Sequence, residues 1–304
     1  MSAHSQPSID PPSHRNDLLE TSDAVVARAH QSLRGIELVL AQLQGQPMDQ
    51  YELTVIVPVL NERTTLPKIL DRIDQVMPPH TETIVVDDAS TDGTAEWLAS
   101  LPPRLNRRII RRGRNHGKGS AVRLGIRHSH GAIVAIQDAD LEYDPIDLLQ
   151  VIAPIQTGQA EVVYGSRYLQ DQADPSAFHR LGNWALTAIS NCMTGQHLTD
   201  METCHKAFRG DLVRSIKIRE CRFGFEPEIT GKVAARGVAI VEVPTGYDYR
   251  SYDEGKKITW KDGVAALGCM WRYRTRHWSR RMITGITSTM LRLPMMGIRR
   301  VTSR

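Results

Sequence analysis

Cysteine is scarce in this sequence, and its few occurrences lie far apart. The 304 residues include four cysteines and no C-x-x-C pair, at positions Cys192, Cys204, Cys221 and Cys269. Zinc sites and disulfide frameworks need closely or regularly spaced cysteines. Neither is therefore expected, and the scarcity favours a protein of a reducing compartment.

Long hydrophobic runs are also absent. No stretch of about 18 uninterrupted apolar residues is present to cross a bilayer, and the opening residues lack the apolar core of a signal peptide. We therefore expect neither secretion nor a membrane span, and a cytoplasmic location. Hydrophobic residues still make up 41% of the chain, enough for the core of a folded enzyme. The formal net charge of +4 is modest and calls for no nucleic-acid partner.

The glycine patterns of dinucleotide and nucleoside-triphosphate sites are missing. No glycine follows the first predicted strand, which runs into the segment 58–62, so a nicotinamide enzyme is disfavoured. The segment 113–120 has three residues between its glycines instead of four, which excludes a P-loop. It is expected to be a glycine turn that opens a helix, from which Lys118 can face an anionic ligand.

Short apolar runs alternate with helical patterns from residue 53 onward. Strands are predicted at 53–59, 82–88, 107–112, 132–138 and 161–165, and helices near 63–76, 91–100, 118–129 and 145–156. This alternation predicts an α/β fold with a mostly parallel central sheet flanked by helices on both faces. Ligands bind such sheets beyond the carboxyl ends of the strands.

The α/β pattern is bounded by two segments of different character. Residues 1–50 read as a disordered stretch followed by an appended amphipathic helix, and residues 51–275 as the α/β domain. Residues 276–304 form a basic amphipathic tail; from Trp271 to the end there are nine arginines and no acidic residue. This composition suits an anionic lipid surface, although folding back on the domain or binding RNA stays open.

Adjacent carboxylates end the second predicted strand. Asp87 and Asp88 lie at the carboxyl edge of the sheet, where one of them is expected to meet a ligand. Asp87, nearest the strand end, is the better candidate for holding a base or ribose. Asp92 can instead favour the first turn of the next helix, so a purely structural role stays open for it.

Acidic residues spaced by two follow the fourth predicted strand. If the extended backbone persists, alternation places Asp138, Asp140 and Glu142 on one side. Hard carboxylate oxygens suit Mg²⁺ or Mn²⁺, which hold few protein ligands and take the rest from substrate phosphates. We therefore predict a divalent metal site here.

The ordered series of motifs over residues 53–273 resembles the inverting glycosyltransferases of family two, which have the GT-A fold. The likeness is greatest to their polyprenyl-phosphate, dolichol-phosphate mannosyltransferase-like branch. It is carried by VIVPVLNE, IVVDDASTDGT, NHGKGSAVRLGI, DADLEYDP, GSRY, TDMETCHKAFR and FGFEPEIT. The resemblance implies transfer of a hexose from GDP-mannose or UDP-glucose to a polyprenyl phosphate, with inversion and with Mg²⁺ or Mn²⁺. Transfer to a hydroxyl acceptor, a nucleotidyltransferase and a non-catalytic sensor are the alternatives.

The resemblance also implies roles for individual residues. Metal ligation falls to Asp138, Asp140 and Glu142, although many relatives have glutamine at the last position. Asp200 and Glu202 lie on the acceptor side, and one of them would act as base if the acceptor were a hydroxyl. The implied nucleotide-binding residues are Pro58, Leu60, Glu62, Asp87, Asp88, Lys118, Asp138 and Ala139.

A phosphate acceptor needs cations to orient it. Arg167 is the leading candidate because its planar fork matches phosphate geometry, and Arg250, Lys256 and Lys257 form a second basic group whose alternative is a solvated turn. Glu226 and Glu228 begin a predicted helix, where a structural role stays open. With the basic tail, these features predict peripheral attachment to the cytoplasmic face of a membrane, and a homo-oligomer stays open.

Overall fold

The computed structural model describes residues 51–169, 177–249 and 260–274. The chain divides into two units, and the larger one, residues 48–100 and 106–304, contains the sheet and its helices. Several predicted features lie outside the described residues: the N-terminal helix, the basic tail, Arg250, Lys256 and Lys257. The division of the chain at 1–50, 51–275 and 276–304 stays a prediction.

Strands and helices alternate along the described chain. The strands are β1 (Leu53–Val59), β2 (Thr81–Asp87), β3 (Arg107–Arg111), β4 (Ile133–Ile136), β5 (Val162–Ser166), β6 (Lys206–Arg209) and β7 (Ile240–Pro244). The helices are α1 (Leu66–Val76), α2 (Thr94–Ser100), α3 (Lys118–His128), α4 (Leu148–Gln156), α5 (Ala177–Thr194), α6 (Gly210–Ser215), α7 (Phe225–Ala235) and α8 (Trp260–Tyr273). A short 3₁₀ turn, Pro145–Asp147, leads into α4.

The five predicted strands and four predicted helices are all present, and all except β1 have at least one shifted end. The first helix begins at Leu66 rather than 63, because Pro67 favours the first helical turn. The second begins at Thr94 rather than 91, since Gly93 has a left-handed φ of 90° that a helix cannot contain. β4 ends at Ile136, two residues before the predicted end.

The sheet has seven strands in the order β3-β2-β1-β4-β6-β5-β7. β6 runs antiparallel to both neighbours, and the other pairings are parallel. The mostly parallel sheet is confirmed, while the reversed strand β6 and the edge strand β7 were not anticipated. Val59 pairs with Asp87, so β1 and β2 end level with one another.

Helices cover the sheet closely and leave its carboxyl edge for a site. Every residue of β1 and β2 is buried, as expected of strands covered on both faces. Ile56 of β1 shares a core with the apolar side of α3, whose Gly125 has no room for a larger side chain: an added Cβ would lie 2.5 Å from Ile56 Cγ2. Among the described residues, no helix combines the length and apolar character that crossing a membrane requires.

Candidate active site

Left-handed backbone marks the carboxyl ends of three neighbouring strands. Asn61 follows β1, Ala89 follows β2 and Leu141 follows β4, with φ of 55°, 67° and 66°. Non-glycine residues adopt this conformation at a cost of about 1–3 kcal/mol each, and such residues cluster at functional sites. The three strands are adjacent in the sheet, so the strain is concentrated at one edge.

The loops after β1 and β2 are tied together by polar contacts. The Asn61 amide donates to Ser90 Oγ at 2.9 Å, and the Thr91 amide donates to Asn61 Oδ1 at 2.7 Å. Asp92 accepts from the amides of Arg63 and Thr94, both at 3.0 Å. The structural role left open for Asp92 is thereby confirmed.

Asp87 and Asp88 have different partners. Asp88 accepts from the amides of His116 at 3.0 Å and Gly117 at 2.6 Å, and it pairs with Arg112 at 3.0 Å. These protein donors let Asp88 position the segment before α3, and direct nucleotide binding by Asp88 stays a prediction.

Asp87 keeps one oxygen for a ligand. Its Oδ1 accepts from the Ser90 amide at 3.0 Å. The buried Oδ2 has no hydrogen-bond partner among the described residues, and Arg111 Nε lies 3.9 Å from it. Burial of an unpartnered carboxylate oxygen is costly unless a ligand completes it, which matches the base or ribose contact predicted for Asp87.

The residues predicted on the nucleoside side of β1 lie next to Asp87. Pro58 is in β1, one register position before the Val59–Asp87 pair, and Leu60 follows the strand. Glu62 is buried and accepts from Thr65 Oγ1 at 2.9 Å. The structure therefore brings together the candidate nucleoside residues of β1 and β2.

The acidic segment after β4 departs from the expected geometry. The strand ends at Ile136 and Leu141 is left-handed, so the alternation that would align the three carboxylates is lost. Asp138 Oδ2 lies 2.8 Å from Lys118 Nζ, and Glu142 Oε1 accepts from the Tyr247 hydroxyl at 3.1 Å. Within residues 51–169, 177–249 and 260–274, no three His, Cys, Asp or Glu side chains are arranged to hold a metal ion. The three carboxylates are therefore not aligned on one extended segment, and metal binding by Asp138, Asp140 and Glu142 stays a prediction.

Asp140 is the carboxyl group of this turn whose negative charge its surroundings most disfavour. Burial, and then the charges of Asp138 and Glu142, raise the pKa of Asp140 to about 7. Repulsion of this kind is what a bound cation relieves. Mg²⁺ or Mn²⁺ takes few protein ligands where substrate phosphates supply the rest. Asp138 and Asp140, with the buried Ala139 between them, fit such an ion, whereas Glu142 is held by Tyr247.

The turn that contains these acids is held by Gln137. Its Nε2 donates to the carbonyls of Asp138 at 3.1 Å and Tyr143 at 2.9 Å. Its Oε1 lies 3.0 Å from Nε2 of the buried His205. A fully buried amide thus fixes both ends of the acidic turn.

Lys118, the first residue of α3, lies among two carboxyl groups and a thiol. Its Nζ is 2.8 Å from Asp138 Oδ2, 3.0 Å from Cys204 Sγ and 3.7 Å from Glu226 Oε1. Burial lowers the pKa of Lys118, but these neighbours outweigh it and raise the pKa well above its usual value. Lys118 thus contacts acidic side chains of the protein, and the anionic ligand predicted for it stays a prediction.

Partly buried Arg167, at the end of β5, forms a bidentate pair with the buried Asp200. Arg167 Nε and Nη2 donate to the two Asp200 oxygens at 2.6 and 2.8 Å, and the Arg167 amide adds a bond at 3.2 Å. Asn183 Nδ2 also donates to Asp200, at 3.1 Å. Burial raises the pKa of Asp200, but Arg167 lowers it below the usual range. Asp200 thus orients Arg167, and the alternative role as a base is not supported.

Sequence reasoning did not separate Glu226 from Glu228, which flank Pro227 at the start of α7. Glu228 accepts from the amides of Arg219 at 2.8 Å and Glu220 at 2.7 Å, a structural role. Glu226 instead reaches Lys118. Both follow the same local pattern, so only the tertiary contacts distinguish them.

Comparisons with known proteins bear on the family and the fold of this chain. A family model described as glycosyl transferase family 2 matches residues 54–216. Undecaprenyl-phosphate mannosyltransferase of Micrococcus luteus is 30% identical over 66% of this chain and 85% of that protein. Dodecaprenyl-phosphate galacturonate synthase of Rhizobium johnstonii is 27% identical over 57% of this chain and 52% of that protein. The match thus spans only about half of the second relative.

A solved structure with a similar fold is glucosyl-3-phosphoglycerate synthase from Mycobacterium tuberculosis. That protein was crystallised with Mn²⁺, UDP and phosphoglyceric acid. The TM-score is 0.57 at 19% identity, covering 73% of this chain and 78% of that one. This likeness supports the GT-A fold.

Proposed function

The chain belongs to glycosyl transferase family 2, and from that premise we propose that it transfers a hexose from a nucleotide diphosphate sugar to a polyprenyl phosphate, inverting the anomeric carbon. The observation that carries the proposal is the Arg167–Asp200 ion pair. It holds the Arg167 guanidinium in a fixed orientation and leaves Asp200 unavailable as a base. GDP-mannose and UDP-glucose are the candidate donors. The relatives' activities with polyprenyl phosphates support the choice of acceptor.

The donor nucleoside is assigned to the ends of β1 and β2. Pro58, Leu60 and Glu62 lie in or just after β1, whose last residue, Val59, pairs with Asp87. Asp87 Oδ2 is buried and lacks a hydrogen-bond partner among the described residues. Ribose hydroxyls or a base N–H can donate to this oxygen. Asp88 acts indirectly by holding the segment before α3.

The donor diphosphate is assigned to the acidic turn after β4. Asp138 and Asp140 would hold Mg²⁺ or Mn²⁺ there. When bound, such an ion neutralises the charge that develops on the departing nucleoside diphosphate. Lys118, held against Asp138 at 2.8 Å, adds a fixed positive charge at the start of α3.

The acceptor phosphate is assigned to Arg167. A phosphate monoester has a second pKa of about 6, so it is already ionised at neutral pH and needs no base. The acid nearest the guanidinium matches that requirement: both oxygens of Asp200 accept hydrogen bonds from Arg167, so Asp200 is not available as a base. A hydroxyl acceptor would need an ionised base, so the site favours a phosphate.

An apolar cavity adjoins Arg167 and suits the lipid part of this acceptor. Its volume is about 300 Å³, and its lining includes Tyr168, Trp184, Ala188, Leu198 and Thr199. Tyr168 and Thr199 are the chain neighbours of Arg167 and Asp200. Trp184 on α5 is 66% exposed, an unusual position for a large aromatic side chain. An isoprenoid chain leaving the bound phosphate can cover it.

A panel of radiolabelled nucleotide sugars tests the proposal. Each is incubated with polyprenyl phosphate and Mg²⁺ or Mn²⁺, and label is counted in the organic phase. We expect lipid-linked label and release of nucleoside diphosphate from one donor, and loss of both in Arg167→Ala. Release of pyrophosphate, or label transferred only to hydroxyl acceptors, would contradict the proposal.

Membrane attachment forms a separate part of the proposal. The basic residues 276–304 are assigned to the surface of an anionic bilayer on its cytoplasmic face, because their arginines and apolar residues suit that boundary. Liposome flotation of the full chain and of a chain ending at residue 276 tests this. Equal flotation of the two would rule out the tail as the anchor.

A further inference from the structure

The segment that follows β7 lies between the acidic turn and Arg167. β7 ends at Pro244, which pairs with Ser166 of the parallel strand β5, so the residues after both strands lie at the same edge of the sheet. Tyr247 belongs to this segment and is 8% exposed. The proposed donor and acceptor sites do not include this residue, although its side chain contacts a group from each.

The start of this segment is fixed by hydrogen bonds from its backbone. The Thr245 amide donates to the Ser166 carbonyl at 3.1 Å, and the Gly246 amide donates to Asp147 Oδ2 at 2.8 Å. These bonds place the backbone immediately before Tyr247. The orientation of the Tyr247 side chain then depends on the contacts that its ring and its hydroxyl group make.

Glu142 of the acidic turn holds the segment on the donor side. The Tyr247 hydroxyl donates to Glu142 Oε1 at 3.1 Å, and the Asp248 amide donates to the Glu142 carbonyl at 2.8 Å. The Tyr247 ring also lies 5.3 Å from the ring of Tyr143 in the same turn. A side-chain bond and a backbone bond to one glutamate therefore tie the acidic turn to the segment after β7.

The Tyr247 ring contacts Arg167 on the acceptor side. Arg167 Cζ lies 5.0 Å from the centre of the ring, within the range of a cation–π contact. Asp200 holds Nε and Nη2 of the same guanidinium through hydrogen bonds. The guanidinium therefore has a carboxylate at one edge and an aromatic face beside it, and Tyr247 lies next to the position proposed for the acceptor phosphate.

One side chain thus joins the two proposed substrate sites. Burial, and then the charges of Asp138 and Glu142, raise the pKa of Asp140 to about 7, so electrostatic repulsion within the acidic turn opposes its folded shape. This repulsion is relieved when a cation binds there with the donor diphosphate. Because the turn holds Tyr247, and Tyr247 contacts Arg167, stabilising the turn also stabilises one side of the acceptor site.

We propose that Tyr247 is a positioning residue through which the donor nucleotide and the acceptor phosphate strengthen each other's binding. The proposal rests on the proposed function and adds a coupling between its two substrates. A ligand that orders a shared element lowers the entropy cost for the second ligand, which gives positive coupling. The hydroxyl group of Tyr247 carries this coupling, because it joins the ring beside Arg167 to Glu142 of the acidic turn.

The test measures binding in the absence of transfer. Farnesyl phosphate, a short prenyl phosphate, is titrated into the full-length protein by calorimetry, alone and with saturating Mn²⁺ and UDP or GDP. No sugar is present, so no reaction takes place. We expect the nucleotide that binds to lower the Kd of farnesyl phosphate by about 10-fold, and farnesyl phosphate to lower the Kd of that nucleotide by the same factor.

Two substitutions separate the hydroxyl group of Tyr247 from its ring. Tyr247→Phe removes only the hydroxyl group, and we expect the coupling to fall below about 2-fold while the affinity for farnesyl phosphate alone changes by less than about 2-fold. Tyr247→Leu also removes the ring. It should additionally weaken the binding of farnesyl phosphate alone by about 3-fold, because the cation–π contact with Arg167 is lost.

Tyr249→Phe is the matched control, because it removes the same hydroxyl group two residues further along the segment. The Tyr249 ring lies 6.5 Å from the ring of His179 on α5, so this residue makes a different contact. We expect the wild-type coupling in this variant. Each coupling is a ratio of two Kd values measured on one variant, so a general loss of stability does not imitate the loss of coupling.

The outcomes separate this proposal from the proposed function. Coupling that persists in Tyr247→Phe, or that is lost equally in Tyr249→Phe, would overturn the role of Tyr247. A wild type that binds nucleotide and farnesyl phosphate independently would also overturn it and leave the proposed function standing. If the wild type binds neither ligand and transfers no sugar in the donor panel, the proposed function itself fails and this assignment fails with it.

Discussion

Removal of the Asp200 carboxylate tests whether this residue orients Arg167 or acts as a base. Asp200→Ala leaves the Arg167 guanidinium buried without its two side-chain bonds of 2.6 and 2.8 Å. Loss of one partner of a buried ion pair costs about 3–5 kcal/mol. We therefore expect a loss of that order in the free energy of unfolding, measured by urea denaturation, and transfer activity reduced by at least about 100-fold.

The double variant Arg167→Ala/Asp200→Ala gives the decisive comparison. If Asp200 only orients Arg167, the double variant should be no less active than Arg167→Ala, because nothing is left to orient. It should also be more stable than Asp200→Ala, since no unpaired charge stays buried, with a coupling energy of about 3 kcal/mol. Activity losses that multiply, or stability losses that add, would refute the orienting role.

The same pair predicts how stability changes in acid. Because the pKa of Asp200 is lowered on folding, its stabilisation is complete above the unfolded value of about 3.9 and is lost as the pH falls through the lower folded value. Urea denaturation at several acidic pH values should show this loss in the wild type. The double variant should lack that contribution.

Three further predictions concern other parts of the site. Because folding raises the pKa of Glu202 from its usual value of 4.5 to about 8, stability should fall as the pH rises from about 4.5 to about 8 and level off above it, and Glu202→Gln should flatten that fall in thermal melts; identical pH profiles would contradict it. Addition of Mg²⁺ or Mn²⁺ should increase the affinity of the wild type for the nucleotide, and Asp140→Asn should abolish this increase. Calorimetry with and without chelator measures it, and an unchanged increase would exclude Asp140 as a metal ligand. Asp88→Asn should lower the free energy of unfolding by about 1.5–3 kcal/mol, since its charged hydrogen bonds to His116, Gly117 and Arg112 are weakened. A raised KM for the donor without loss of stability would instead indicate direct contact between Asp88 and the nucleotide.

Much of the fold follows from sequence patterns that act locally. The buried strands β1 and β2 each contain a run of β-branched apolar residues, and α1 and α3 have helical spacing, so their type and order could be predicted. The direction of β6 could not. This strand has four residues, Lys206–Arg209, and no local pattern distinguishes an antiparallel neighbour of β4 from a parallel one.

The site was less accessible to sequence reasoning because its contacts are tertiary. The alignment of Asp138, Asp140 and Glu142 assumed an extended backbone, which the left-handed Leu141 interrupts. Asp200 is 33 residues from Arg167 along the chain, and nothing near either residue indicates their pairing. Residue types at strand ends could therefore be recognised as functional, whereas their individual roles depended on which neighbours the fold supplies.

The anchoring of Arg167 has a consequence for the thermodynamics of acceptor recognition. A long arginine side chain normally loses rotational freedom when it grips an anion. In this protein two oxygens of Asp200 have already restricted it, so that entropy is lost once, when the chain folds, and not again in every catalytic cycle. The phosphate of an incoming lipid therefore meets a guanidinium whose conformation is already fixed before the lipid binds.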